Sequence, residues 1–159
     1  MLPASVAAAT AGLLRLKAHC KLTFAEENTM ASAVSTVPAA PSDRAAQHFG
    51  TAFEYETDCA DVHAAMRDGE QDFVLLDVRS PALYELGHVP GALNLPQGKI
   101  VEAKLKDYPT ETLFVVYCAG PHCNGAHRGA LRLARLGRPV KLMIGGVTGW
   151  QDEGYALAK

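Results

Sequence analysis

Residues 113–136 read LFVVYCAGPHCNGAHRGALRLARL, and the spacing of their apolar side chains changes along the way. Leu113–Tyr117 is a continuous apolar run, the pattern of a strand buried on both faces. From Gly125 to Leu136 the pattern is amphipathic. Arg128, Arg132 and Arg135 fall on one side of a helix, with Ala126, Ala130, Leu133 and Ala134 opposite. The joining stretch, Cys118 to Asn124, is short and small enough to turn tightly. A buried strand followed at once by a helix is the repeating half of a parallel α/β sheet. In such sheets the reactive crevice lies beyond the carboxyl ends of the strands, and Cys118 is the first residue to leave this one.

The same alternation extends to both sides. Thr57 or Asp58 is placed to cap a helix running to about Asp68, with Val62 and Met66 on one face and Gly69 to end it. Phe73–Val78 is a second buried-strand pattern, followed by a short helix over Pro81–Leu86 and a short strand over Ala92–Leu95. Residues 99–107 read as a small helix stopped by Pro109. Val140–Ile144 is a strand, and Gly146–Glu153 a last helix carrying the single tryptophan, Trp150. Phe53–Tyr55 reads as one more short strand. The pattern predicts an α/β domain over residues 53–159, in three layers, with a central, mostly parallel sheet and helices on both faces.

Residues 1–52 read as an N-terminal extension, largely flexible. Ala31–Asp43, ASAVSTVPAAPSD, is small, Pro-containing and unpatterned. In residues 1–29 the apolar AAATAGLL precedes Arg15, Lys17 and Lys21, the reverse of a secretory signal, and the residues before Cys20 do not fit a lipoprotein pattern. The lack of acid before Glu26 is a transit-peptide feature. The purine-rich codons open to Glu26–Thr29, just ahead of Met30, point instead to Met30 as the natural start. No stretch approaches the ~20 apolar residues that cross a bilayer, so no membrane partner is expected.

The 159 residues are 48% hydrophobic and 20% charged, with a formal net charge of −2, which offers no footprint for nucleic acid. Charge is nevertheless uneven. Residues 54–72 are acidic, whereas Arg128, Arg132, Arg135, Arg138 and Lys141 make the region after the loop basic. That basic run reads either as a solvated helix face or as a field drawing a small anion toward the loop. The four cysteines, Cys20, Cys59, Cys118 and Cys123, are few for a disulfide scaffold and read as reduced thiols in a reducing, cytoplasmic compartment.

In the loop, Ala119, Gly120, Pro121, His122, Cys123, Asn124 and Gly125 let the backbone curl and turn amide N–H groups inward. With the positive end of the following helix, those donors form a cup for an anion. A thiol at its base has its charged form favoured, and a persulfide sulfur on it would be favoured in the same way. The loop therefore marks Cys118 as a candidate nucleophile, needing neither metal nor cofactor. The alternative is a small buried residue at a strand end.

Several separated segments, taken together, resemble a single-domain rhodanese: Asp77-Val78-Arg79, then Tyr84 through the run GHVPGALNLP to Pro96, then Val116-Tyr117-Cys118, then Gly145-Gly146-Val147-Thr148-Gly149-Trp150. The resemblance covers about residues 53–157, and the loop CAGPHCNGA is similar to that of phage-shock-type rhodanese-like proteins. It implies a sulfurtransferase whose cysteine, here Cys118, takes sulfane sulfur from a donor such as thiosulfate and hands it to cyanide or a thiol. Small sulfur anions, thiols or a protein acceptor are the implied partners. Asp77 and Arg79 match the family's DxR pair and His88 its GH[IV]PGA segment, both read as structural support. Gly91 is expected to hold a backbone conformation that a side chain would obstruct, and Trp150 to pack in the core. Many active members carry arginine directly after the cysteine and near the loop's end. Here Ala119 and Asn124 stand at those places, leaving backbone amides, His122 and Arg128 to hold an anion.

Four rivals are weighed against this. A phosphatase built on the same fold needs an arginine where Asn124 or Gly129 stands, counting from either cysteine. Zinc would have to draw on Cys118, His122, Cys123 and His127, but structural sites use two separated knuckles and no second one is present. Redox exchange between Cys118 and Cys123, with Cys123 resolving a sulfenic acid or persulfide, fits the neighbouring thiols. A non-catalytic module of the same fold is a further reading. Cys59 reads as packing, and His19, His48 and His63 as residues without partners.

Overall fold

The run Leu113–Tyr117 forms the middle strand of a five-stranded sheet. The computed structural model describes residues 32–159, so the readings of Met30 as a start, of Cys20 and of His19 lie outside the described residues. The strands are β1 (Glu56–Thr57), β2 (Phe73–Asp77), β3 (Leu93–Asn94), β4 (Leu113–Tyr117) and β5 (Val140–Met143), in the order β1-β5-β4-β2-β3. Every pairing is parallel. The register sets Asp77 beside Tyr117 at the carboxyl edge, with Leu142 beside Val116.

The helices are α1 (Ser42–Tyr55), α2 (Cys59–Asp68), α3 (Pro81–Leu86), α4 (Glu102–Leu105), α5 (Gly125–Arg135) and α6 (Gly146–Asp152). Asp58 caps α2 by accepting from Asp61 N–H at 2.8 Å, and Gly69 closes the helix. The expected helix over residues 99–107 is two pieces, a 3-10 turn at Gln97–Lys99 and α4, because Val101 between them is extended.

Side chains alternate across the strands and divide the core in two. Leu75, Val115, Tyr117 and Met143 pack with Cys59 and Val62 of α2 and with Val147 and Trp150 of α6. Leu76, Phe114, Val116 and Leu142 pack with Leu105 of α4 and with Ala126 and Leu133 of α5. Cys118, next in the alternation after Phe114 and Val116, falls on the α5 side. Trp150 is 2% exposed, and its indole N–H donates to Ala156 O at 3.0 Å.

Two readings need correction. Phe53–Tyr55 are not a strand but the last turn of α1, and the strand follows at Glu56. No residue of α1 is buried, and Phe53 is 74% exposed, so the helix leaves no core-facing stripe to identify it. His63 does have partners: its ring stacks on Tyr155 at 3.9 Å and meets Trp150 edge-on at 5.5 Å. Among the described residues, no helix is long and apolar enough to cross a membrane.

Candidate active site

The turn between β4 and α5 begins with Cys118, which is 6% exposed. Pro121 directs the chain around, and Cys123 N–H donates to Gly120 O at 3.0 Å, folding Cys123 back toward the strand end. The Cys118 and Cys123 sulfurs are bonded to each other, with Cα atoms 6.4 Å apart, inside the range that a disulfide spans. The expectation of reduced thiols thus holds for Cys59, which is free and buried, and not for this pair. The amino end of α5 lies against the same sulfur: a Cβ on Gly125 would sit 2.7 Å from Cys118 Sγ. Among the described residues, the N–H groups of Ala119, Gly120, His122, Asn124, Gly125, Ala126 and His127 have no protein acceptor. The loop and first helical turn therefore carry unpaired donors, and a helix amino end adds its partial positive charge.

The loop is held from the other side by the turn after β5. Val147 N–H donates to Cys118 O at 3.1 Å, and Thr148 donates to Ala119 O through both its N–H (2.9 Å) and its hydroxyl (3.0 Å). Gly146 makes this approach feasible. Its φ is +59°, and a Cβ there would run into the Cys118 carbonyl oxygen. Cys59 lies beneath the same turn, its thiol donating to Ile144 O at 3.4 Å and Gly146 O at 3.6 Å. Burial first, then the Asp58 and Glu153 carboxylates, push this thiol up to about 11.

Asp77, Arg79 and His88 lie on the neighbouring strand end. Asp77 is fully buried and accepts from Arg79 through both its backbone N–H and its guanidinium. The guanidinium also donates to Gly87 O at 2.7 Å, tying β2 to the end of α3. Burial is the largest single influence and opposes the Arg79 charge, but the hydrogen bond and charge of Asp77, with Tyr117 beside them, together outweigh it and leave that charge more firmly held than usual. His88 stacks on Tyr84 at 3.7 Å, with Nδ1 donating to Tyr84 O at 3.0 Å. Tyr117 accepts from Val89 N–H at 3.0 Å; burial and the nearby Asp77 charge raise its hydroxyl well above the usual phenol range. Gly91 has φ +74°, in the left-handed region. These groups tie the loops beside β4 together, and none lines the cysteine cleft.

That cleft holds about 160 Å³ and is lined by Cys118, Gly120, Pro121 and Cys123 on one side and by Leu142–Gly146 on another. Glu56 of β1 and His127 of α5 complete it, neither singled out as an anion-holding group from the sequence. Only the β1–β5 pairing brings Glu56 here, a contact no local pattern signals. Arg128 does not line this cleft. With Arg132 and Arg135 it lines a separate groove of about 540 Å³ against Gln97 and Val101, as expected for the opposite side of α5 from Ala126. His122 is exposed and folds back over Gly120, Ala119 packs against the α5-side core, and Asn124 stands at the start of α5. The cleft therefore has a nucleophile candidate, a second sulfur bonded to it, a helix amino end, and neither lysine nor arginine on its walls.

Comparison with known proteins agrees with this fold. Over 87 residues, 54% of this chain, the sequence is 36% identical to the HTH-type transcriptional regulator Rv0324 of Mycobacterium tuberculosis, of which it spans 38%. It is 28% identical over 102 residues to a sulfurtransferase of Allochromatium vinosum, covering 64% of this chain and 92% of that one. The crystal structure of the BH2092 protein from Bacillus halodurans superposes with a TM-score of 0.70 at 35% identity, over 73% of this chain and 85% of that chain. The family description Rhodanese-like domain matches residues 58–153, from the cap of α2 to just past the end of α6, and it is to the rhodanese-like family that the chain belongs.

Proposed function

We propose that the protein, with Cys118 and Cys123 reduced, is a sulfurtransferase that carries sulfane sulfur as a persulfide on Cys118. The observation behind this reading is the amino end of α5 set directly against Cys118 Sγ at the carboxyl end of the central strand. Unpaired N–H groups and a helix amino end favour the thiolate over the thiol, and the same donors favour a persulfide anion. The thiolate attacks the outer sulfur of a donor such as thiosulfate; the donor S–S bond breaks and sulfite leaves with the electron pair. A thiophilic acceptor, cyanide or a thiol on a small molecule or protein, then attacks the outer sulfur and Cys118 departs as thiolate. Neither step needs a cofactor, and both suit a reducing, cytoplasmic setting. The likeness to a protein named sulfurtransferase supports the same class.

The cleft walls bear Glu56 and no fixed cation, so a thiosulfate dianion is held by N–H groups alone. Low-molecular-weight persulfides, with a single charge at the reacting sulfur, suit the site at least as well. The test is thiocyanate formation from thiosulfate and cyanide, with intact mass recorded after the donor alone. Cys118→Ser should abolish turnover and sulfur loading, whereas Cys123→Ser should turn over and carry one added sulfur. A Cys123→Ser protein that takes up no sulfur from thiosulfate or a glutathione persulfide would refute the assignment.

A further inference from the structure

We propose that Cys123 resolves the Cys118 persulfide, so that the protein reduces sulfane sulfur to hydrosulfide and closes a disulfide that a dithiol must reopen. This rests on the persulfide reading above and decides where the sulfur goes. A second thiol beside a persulfide has two sulfurs to attack. Attack on the outer one would move the sulfane sulfur to Cys123. Attack on the inner one, Cys118 Sγ itself, expels hydrosulfide. The bond present in the structure joins Cys123 Sγ to Cys118 Sγ, so the loop brings Cys123 to the inner atom. The Cys123 N–H to Gly120 O turn holds the two Cα atoms 6.4 Å apart, within the reach of that bond.

The surroundings favour the same direction. No lysine or arginine lines the cleft, and Glu56 is present, so nothing with fixed positive charge retains the expelled anion. The third described thiol, Cys59, is buried and hydrogen-bonded to two carbonyls, leaving Cys123 as the partner. Access is unequal within the disulfide: Cys118 is buried, Cys123 half-buried at the loop surface. An incoming thiol reaches Cys123 first, and the leaving sulfur is then Cys118, the one beside the helix amino end, which is the better leaving group. Reduction thus returns Cys118 as the thiolate that begins the next cycle.

The steps balance. Thiosulfate and the Cys118 thiolate give sulfite and the Cys118 persulfide. The Cys123 thiol gives up its proton, its sulfur bonds to Cys118 Sγ, and the persulfide S–S bond breaks to release hydrosulfide. Two thiol groups of an external dithiol then reduce the Cys118–Cys123 disulfide and become a disulfide themselves. In sum, the sulfane sulfur gains two electrons and the dithiol loses them.

The experiment treats the reduced, desalted protein with one equivalent of thiosulfate, without thiol, and follows released sulfide together with intact mass. Wild type should release one sulfide per protein and end two hydrogens lighter than the reduced form, with no added sulfur. Cys123→Ser should keep one added sulfur on Cys118 and release at least about tenfold less sulfide. Wild type that keeps the added sulfur without releasing sulfide, or a peptide map placing that sulfur on Cys123, would overturn the inference while leaving sulfur transfer intact. Failure of Cys123→Ser to take up sulfur at all would remove the persulfide reading and this inference with it. Cys123 is half-buried at the edge of the α5-side core, and serine keeps its size there, so a melting curve of Cys123→Ser accompanies the assay to show that the variant is folded.

Discussion

A methyl group on Gly125 would lie 2.7 Å from the Cys118 sulfur, closer than unbonded carbon and sulfur tolerate. Gly125→Ala must therefore push apart the amino end of α5 and the strand-end cysteine. The overpacking should cost about 1–3 kcal/mol, offset in part by alanine's better helix propensity. Turnover with thiosulfate and cyanide should fall about tenfold or more, because small displacements of a stabilising group cost rate steeply. Parallel melting curves and thiocyanate assays would check both halves. A variant as active as wild type would show that the contact is unimportant.

Asp77 and Arg79 form a pair in which the carboxylate is fully buried and the guanidinium side chain 8% exposed. Asp77→Ala leaves that guanidinium without its counter-charge and should cost about 3–5 kcal/mol in denaturant unfolding. The pair does not line the cleft, so in the Cys123→Ser background, which retains the added sulfur, the fraction still folded should load sulfur as fully as with Asp77 present. Loss of loading from a fully folded variant would place the pair in the chemistry instead.

Cys59 carries a pH signature. Its thiol is raised from the ordinary 9.0 to about 11, chiefly by burial, so the folded state holds the proton more tightly than the unfolded chain. The stability this contributes is complete below pH 9.0 and is lost as pH rises through about 11. The difference in unfolding free energy between wild type and Cys59→Ala should narrow across that interval, by up to about 1.4 kcal/mol per pH unit. Urea titrations of both proteins in steps over the interval would measure it; a constant difference would contradict the shift.

Glu56 is the one carboxylate on the wall of the cysteine cleft. Glu56→Gln removes a charge that repels an anionic donor while keeping the side chain's shape. KM for thiosulfate should drop about two- to fivefold at low ionic strength, with kcat little changed, and the gain should fade as salt screens the field. Steady-state rates at two salt concentrations would test this, and a salt-independent KM would argue against it.

Most of the architecture is written locally. Strand β4 and all of β2 but its last residue, Asp77, are apolar without interruption because they lie inside the sheet with both faces covered, and the neighbouring helices carry caps and one-sided stripes. The place of Cys118 follows from the same logic, since it marks the end of the most apolar run. Helix α1 escaped because it buries nothing, and a helix without a buried face has no apolar period to display. The cleft walls escaped for another reason. Glu56 and the β5 turn reach Cys118 only through the strand order β1-β5-β4-β2-β3, and Thr148 reaches Ala119 across 29 positions of sequence. Local periodicity records which face of an element is buried, not which element lies beside it. That neighbour relation is settled by the assembly of the whole sheet, and it decides which groups surround the sulfur and that Arg128 is not among them.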